Sequence, residues 1–358
     1  MSRLLILDIG AGTMDILYYD SESGQNYKAV TKSPVLFLAE EATRLPGNIL
    51  ITGVEMGGGA LSQALKQRAQ EAEVIMSVSS AATVHHDLDK ARSWGIRIID
   101  DTEAEKIKHD KKYNHLTCGD VEIERLKNIV KVLGVSFSFD VVGVCAQDHG
   151  TPPQGVSHLD YRHRIFKERL DDNPNPHALL YRNDEIPPTL NRLRSIAESA
   201  TQLPVDEIYV MDSGMAAILG ATMDPLAIPK DRIITLDIAT SHTVGAAVEK
   251  GEIAGFFEYH THDITLERLE SLLVELTDGK LEHQQILQEG GHGAYIRTVF
   301  GFQGTEIIVA TGPKRKLVES SALPIVLGAP FGDNMMTGTV GVLEAIRKRT
   351  EFAPSVFL

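Results

Sequence analysis

The sequence predicts an α/β protein built from two similar domains, and three observations carry that prediction. At 358 residues the chain exceeds what one hydrophobic core usually organises. Short apolar runs alternate along it with stretches of helical period. And a pattern of apolar strand, aspartate, small-residue turn and second strand occurs twice, first at Arg3–Asp20 and again from Arg232, more than two hundred residues later. A repeat that distant does not describe a solenoid. Two domains of similar design facing one cleft account for it.

The first copy begins with Leu4 to Leu7, apolar enough for a buried strand, and ends in Asp8. Ile9-Gly10-Ala11-Gly12-Thr13 is the turn, and Met14 to Tyr19 is a second strand because β-branched and aromatic residues dominate it. A dinucleotide fingerprint requires a helix after its glycines, and a phosphate loop requires a lysine; neither is present. What remains is a nest of backbone N–H groups beside a carboxylate, either an anion cradle with Asp8 near a magnesium ion or an ordinary tight hairpin.

Further on, Tyr27 to Leu38 has strand character interrupted by Pro34, and Ile49 to Thr52 is a short strand. Gly57-Gly58-Gly59 precedes a helix from Ala60 to about Glu71, a glycine run that suits either an anion or close packing. Val74 to Val78 is a strand, Ser79-Ser80 caps a helix running to Trp94, and Ile96 to Ile99 is the next strand. From Asp100 to about Leu190 the chain is irregular. Within it Asp120 to Leu133 reads as a helix and Phe137 to Ala146 as an apolar strand ending in Gln147-Asp148-His149-Gly150. Polar residues at the end of a buried strand point into a cleft. Arg162, Arg164 and Arg169 form either a pocket for an anionic metabolite or a solvated face.

A helix follows over Asn191–Thr201, then a strand at Glu207–Met211, and Asp212-Ser213-Gly214 opens a small-residue helix to Ala221. The second copy is Arg232–Asp237, the turn through Ile238-Ala239-Thr240-Ser241-His242-Thr243, and the strand Val244–Val248; Ile253 to Tyr259 completes a meander. Ile264–Leu276 and His283–Glu289 read as helices, and Glu289 to Ala294 as a flexible loop. Glu306–Ala310 leads into Thr311-Gly312-Pro313-Lys314, a strand, glycine turn and basic helix start suited to a phosphate or an adenosine. Pro324–Leu327 is the last strand and Asp333–Arg349 the last helix.

The bulk numbers narrow the function. Hydrophobic content of 43% and charged content of 23% are those of an ordinary soluble protein. A formal charge of -14 argues against nucleic-acid binding. Cys118 and Cys145 make neither a disulfide framework nor a four-cysteine iron–sulfur centre, and a reducing cytoplasm suits them. The N-terminus reaches the acidic motif too soon for a signal peptide, and no apolar run approaches a membrane span.

In order, these motifs resemble the actin, Hsp70 and sugar-kinase superfamily of two-lobed nucleotide-binding proteins. Asp8, Gly10, Gly12 and Thr13 are similar to its first phosphate motif. Asp237 through Thr243 are similar to the second, departing from it with Ala239 where glycine is usual and His242 before the threonine. Asp212–Ala221 and Gly332–Leu343 match its two connecting helices, and Thr311 to Lys314 its adenosine motif. More narrowly, the chain resembles an uncharacterised bacterial and archaeal family of that clan (DUF1786-like), some of whose members carry a name suggesting pyruvate formate-lyase activation. That name implies a three-cysteine cluster, which two cysteines cannot supply.

The resemblance implies two lobes of ribonuclease H-like fold, each a five-stranded mixed sheet with helices, enclosing ATP and Mg2+. The domains expected are 1–200 with an irregular insertion at about 100–190, then 201–330, then a connecting helix at 331–350. Gly10, Ala11, Gly12 and Thr13 would clamp the phosphates against Ser241, His242 and Thr243. Asp8 and Asp237 would hold the metal, and Gly312 and Lys314 would meet the nucleoside. Asp148, then Asp212, are the candidate bases, with His149 assisting; a side-chain-bonded turn is the other reading of Asp148 and His149. The activity implied is ATP hydrolysis or phosphoryl transfer, with an anionic metabolite or a client protein as partner. A nucleotide-binding sensor or scaffold without turnover is the alternative. A zinc site using His260 and His262 on one strand face, with His242 near, is another.

Overall fold

A computed structural model of the chain describes residues 3–153 and 155–350. It opens as an antiparallel meander of β1 (Arg3–Ile9), β2 (Thr13–Asp20) and β3 (Asn26–Lys32). Nearly all of β1 and β2 is buried, because both faces of the sheet are covered, so their sequence reads as continuous rather than alternating hydrophobicity. The strand expected to reach Leu38 stops at Lys32. Pro34 instead opens α1 (Pro34–Arg44), where its fixed φ and missing N–H cost nothing.

A third layer is inserted here: β4 (Asn48–Gly53), α2 (Gly59–Arg68), β5 (Val74–Ser77), α3 (Val78–Ala81), α4 (Leu88–Ser93), β6 (Ile96–Ile99), α5 (Asp101–Ile107) and β7 (Tyr113–Cys118). Its four strands form an all-parallel sheet in the order β6-β5-β4-β7, with a core of its own around Ile49, Leu61 and Met76. The single helix expected up to Trp94 is two short ones, capped separately by the side chains of Ser77 and Asp87. The stretch from Asp100 is more ordered than its charge suggested. β7 is an edge strand that is mostly half-buried, so YNHLTC shows little apolar signal.

The chain then rejoins the first sheet through α6 (Ile123–Val132), β8 (Phe139–Ala146), α7 (His158–Asp172), β9 (Leu180–Arg182), α8 (Asn191–Ala200) and β10 (Val205–Asp212). Its strand order is β3-β2-β1-β8-β10-β9, with β8 and β10 parallel to β1. After α9 (Ser213–Thr222) come β11 (Arg232–Ile238), β12 (His242–Glu249), β13 (Glu252–His260), α10 (Leu266–Thr277), α11 (His283–Gln288), β14 (Gly293–Ile296), β15 (Ile307–Thr311), β16 (Ile325–Leu327) and α12 (Thr337–Thr350). The second sheet runs β14-β13-β12-β11-β15-β16. Without β9 and β14, the two sheets have one topology: an antiparallel three-strand meander whose first strand is flanked by two parallel strands. That is the ribonuclease H-like lobe of the actin superfamily, present twice. Each sheet carries six strands rather than the five expected, and the loop expected up to Ala294 contains the start of β14.

Two helices lock the halves together by exchange. α9 follows the first sheet but packs on β11 and β12, whereas α12 follows the second sheet and packs on β1 and β8. They cross at backbone contact: a Cβ on Gly220 would lie 1.8 Å from the Thr337 carbonyl oxygen, and one on Gly341 would lie 1.8 Å from that of Ala216. Only glycine permits that approach. Among the described residues no helix is long and apolar enough to cross a membrane.

Candidate functional site

The turns of the two duplicated hairpins meet at the bottom of a cavity of about 960 Å³, walled by both sheets and by the inserted layer. The turns are equivalent in construction. The Gly10 N–H donates to the Thr13 carbonyl at 3.0 Å, and the Ala239 N–H donates to the His242 carbonyl at 3.0 Å. Ile9 pairs with Met14 and Ile238 with Thr243 across the respective hairpins. The positional match therefore sets Gly10-Ala11-Gly12-Thr13 against Ala239-Thr240-Ser241-His242. The two turns touch, since a Cβ on Gly12 would lie 2.9 Å from Thr240 Cγ2. Thr240, not Thr243, faces the first turn. Thr243 is fully buried, its hydroxyl bonded to that of Thr261 at 3.0 Å.

Below the turns sit three carboxylates. Asp8 and Asp237 occupy the same place in the two copies, and Asp15 is the cross-strand partner of Asp8. Burial pushes Asp8 up to about 7, with the thiol of Cys145 opposing and the charge of Asp237 adding to the rise. Burial and then the charge of Asp8 push Asp15 up to about 8. Asp237 is pushed to about 6 by burial, against a 2.8 Å hydrogen bond from Thr311. Asp15 Oδ1 is buried with no hydrogen-bond partner among the described residues. Hard carboxylate oxygens that resist joint ionisation, one of them orphaned, suit a divalent cation such as Mg2+.

The expected proton acceptors are placed differently. Asp148 lines the cavity, but its Oδ1 accepts from the Gly150 N–H at 2.8 Å and its Oδ2 from the Leu193 N–H at 3.0 Å. It caps α8, whose own cap residue Leu190 has no side chain that can do so. Asp212 caps α9 through the N–H of Gly214 and holds the Arg162 guanidinium at 3.0 and 3.2 Å; it does not line the cavity. His149 does line it, and burial, then the charge of Arg162, hold its imidazole down to about 3.

Arg162 is the centre of a buried network at the cavity wall. It bridges Asp212 and the second sheet's Glu258, while Gln147 Nε2 donates to the other Glu258 oxygen at 2.5 Å. Arg164 and Arg169 are exposed and lie over the rings of the buried Tyr161 and Tyr181, as a solvated face would have them, and of the three arginines Arg162 is the one that lines the cavity. Gly312 and Pro313 line the cavity, whereas the exposed Lys314 does not. Asn334, unmarked in the sequence, lines it too and donates from Nδ2 to the Gly312 carbonyl at 3.0 Å. The histidine pair also changes: β13 ends at His260, and His262 lies beyond it, exposed beside Asp263. His260 instead gathers with His242, its cross-strand neighbour, and with His292.

Residues 56–317 match the family described as "Putative pyruvate format-lyase activating enzyme (DUF1786)". Comparison with curated proteins gives no match. Among solved structures, the chain is similar to a type IV pilus biogenesis complex of PilM and PilN, with 12% identity over 96% of this chain and 98% of that one and a TM-score of 0.38. It is similar to a putative N-acetylmannosamine kinase from Listeria monocytogenes, with 11% identity over 97% and 99% and a TM-score of 0.37. An activator of 2-hydroxyisocaproyl-CoA dehydratase from Clostridium difficile with bound ADPNP has 9% identity over 98% of each chain and a TM-score of 0.32. At such scores the likeness adds nothing to the fold assignment, which rests on strand order.

Proposed function

The chain belongs to that family, and from this premise we propose that it binds ATP with Mg2+ between its two sheets and hydrolyses it slowly. The observation that carries the reading is the meeting of two equivalent turns over three buried carboxylates. With the Gly10 and Ala239 N–H groups closing their turns, the backbone N–H groups of Ala11 and Gly12 and of Thr240 and Ser241 are the ones that would hold the phosphates from opposite sides. Asp8 and Asp237 would hold the cation directly or through its waters, and when bound it would neutralise charge on the γ-phosphoryl group. The nucleoside lies toward Gly312, Pro313 and Asn334.

Phosphoryl transfer passes through a loose transition state in which positioning and charge matter more than a strong base. Water attacks the γ-phosphorus as the bond to the β–γ bridging oxygen breaks, and its proton leaves with the released phosphate; the His149 imidazole, held down to about 3, is a weak acceptor. Asp148 and Asp212 are committed to helix caps, which fits slow turnover. That same commitment favours a second reading, binding without turnover. The radical chemistry in the family's description has no support here, because Cys118 and Cys145 are buried on different sheets.

Calorimetric titration with Mg·ATP, followed by phosphate-release assays, tests the proposal. Binding with slow release that D8N abolishes supports it. Binding without release under any acceptor leaves the second reading. No binding sinks both.

A further inference from the structure

The cavity holds a second cluster whose chemistry is unlike that of the carboxylates. His242 opens β12, His260 closes β13 directly beside it, and His292 precedes β14, its N–H donating to the Glu258 carbonyl at 2.8 Å. One ligand nitrogen from each of the three lies within 4.8 Å of the other two. Nε2 of His260 and Nε2 of His292 face each other at 3.0 Å. Nε2 of His242 is buried and has no partner among the described residues. The His260–His292 contact alone would be an ordinary hydrogen bond; the orphaned Nε2 of His242 beside it is what packing does not account for.

We propose that His242, His260 and His292 form a three-imidazole site for a borderline divalent transition ion, with Zn2+ as the reference occupant. A metal at about 2.0–2.1 Å from each nitrogen in tetrahedral geometry requires nitrogens about 3.3 Å apart, which side-chain rotations can reach from this arrangement. Behind the site, Glu258 Oε1, which accepts from Gln147, lies 3.3 Å from His292 Nδ1 without a hydrogen bond between them, close enough to orient the ring after a small rotation. Ser241 Oγ lies 2.8 Å from His242 Nδ1, leaving Nε2 as the free nitrogen of that ring. Three imidazole ligands select Zn2+ and its neighbours over Mg2+, which prefers carboxylate oxygens such as those of Asp8 and Asp237. The cleft thus offers a hard-ion site and a softer one. The fourth coordination position of the softer site faces the cavity, as in zinc sites that keep a place for water or substrate.

The test needs no nucleotide and is independent of the ATP reading. Tag-free protein, stripped with a chelator, is titrated with Zn2+ against a chromophoric competitor and separately with Co2+ by visible absorption. One equivalent per chain is expected, with the intense d–d bands of a low-coordinate Co2+. H242N, H260N and H292N should each weaken Zn2+ binding at least 10-fold while keeping the thermal transition of the metal-free protein, and H262N should bind like the wild type. Absence of stoichiometric binding, or a loss in H262N equal to that in H260N, overturns the assignment. So does a loss in D237N that matches the histidine variants, because the ion would then belong to the carboxylates.

Discussion

The β1–β2 hairpin and the β11–β12 hairpin have turns of equal length, the same 3.0 Å closing bond and equivalent strand neighbours, yet their chemistry differs. The first carries Gly10 and Gly12 in its turn and a second carboxylate, Asp15, opposite Asp8. The second carries Ala239 and Ser241 at the matching places, Val244 opposite Asp237, and His242 where the first has Thr13. The two copies share the backbone, which the sheet dictates, and the aspartate at the strand end, which lines the cleft in both. Their other cleft-facing residues differ: the first hairpin adds a carboxylate, the second an imidazole.

The strongest way to break this pairing is to cut the network that ties the halves. R162L leaves Asp212 and Glu258 buried without their cation and should cost about 3–5 kcal/mol in a denaturant titration. A loss under 1 kcal/mol would mean the network is not a tie. Next comes the helix crossing: G341A forces α9 and α12 apart and should cost about 1–3 kcal/mol, and unchanged stability would refute the backbone contact. The hairpins themselves are compared by D8N and D15N. D8N should weaken Mg·ATP binding about 10–100-fold in calorimetry. D15N removes a carboxylate that burial disfavours, so the metal-free protein should melt roughly 2–4 °C higher; a lower melting point would show that Asp15 is already compensated. The smallest effect is at the meeting of the turns. G12A should cost about 1 kcal/mol or less, since only the Thr240 side chain stands in the way, and T240G should restore that loss.

Several site features were legible before the structure. Asp8 and Asp237 stand out because strands buried on both faces give unbroken apolar runs that end abruptly in a charge. Asp15 was countable: pairing Ile9 with Met14 across the turn sets Asp8 against Asp15. The same count assigns Thr243 to the strand and leaves Thr240 in the turn. The cap of α8 was not legible, since Asp148 and Leu193 are 45 positions apart. Nor was Arg162, whose basic neighbours suggested a surface face while its partners lie 50 and 96 positions away.

By itself the sequence determined the duplicated strand-aspartate-turn units, and hence a two-lobed α/β fold, because burial period and turn chemistry are local and written residue by residue. Only the tertiary structure decided which polar groups are free. Asp148 and Asp212 became caps, Arg162 a buried tie, and His242, His260 and His292 one cluster, because a side chain's role depends on which distant partner satisfies it when water is excluded.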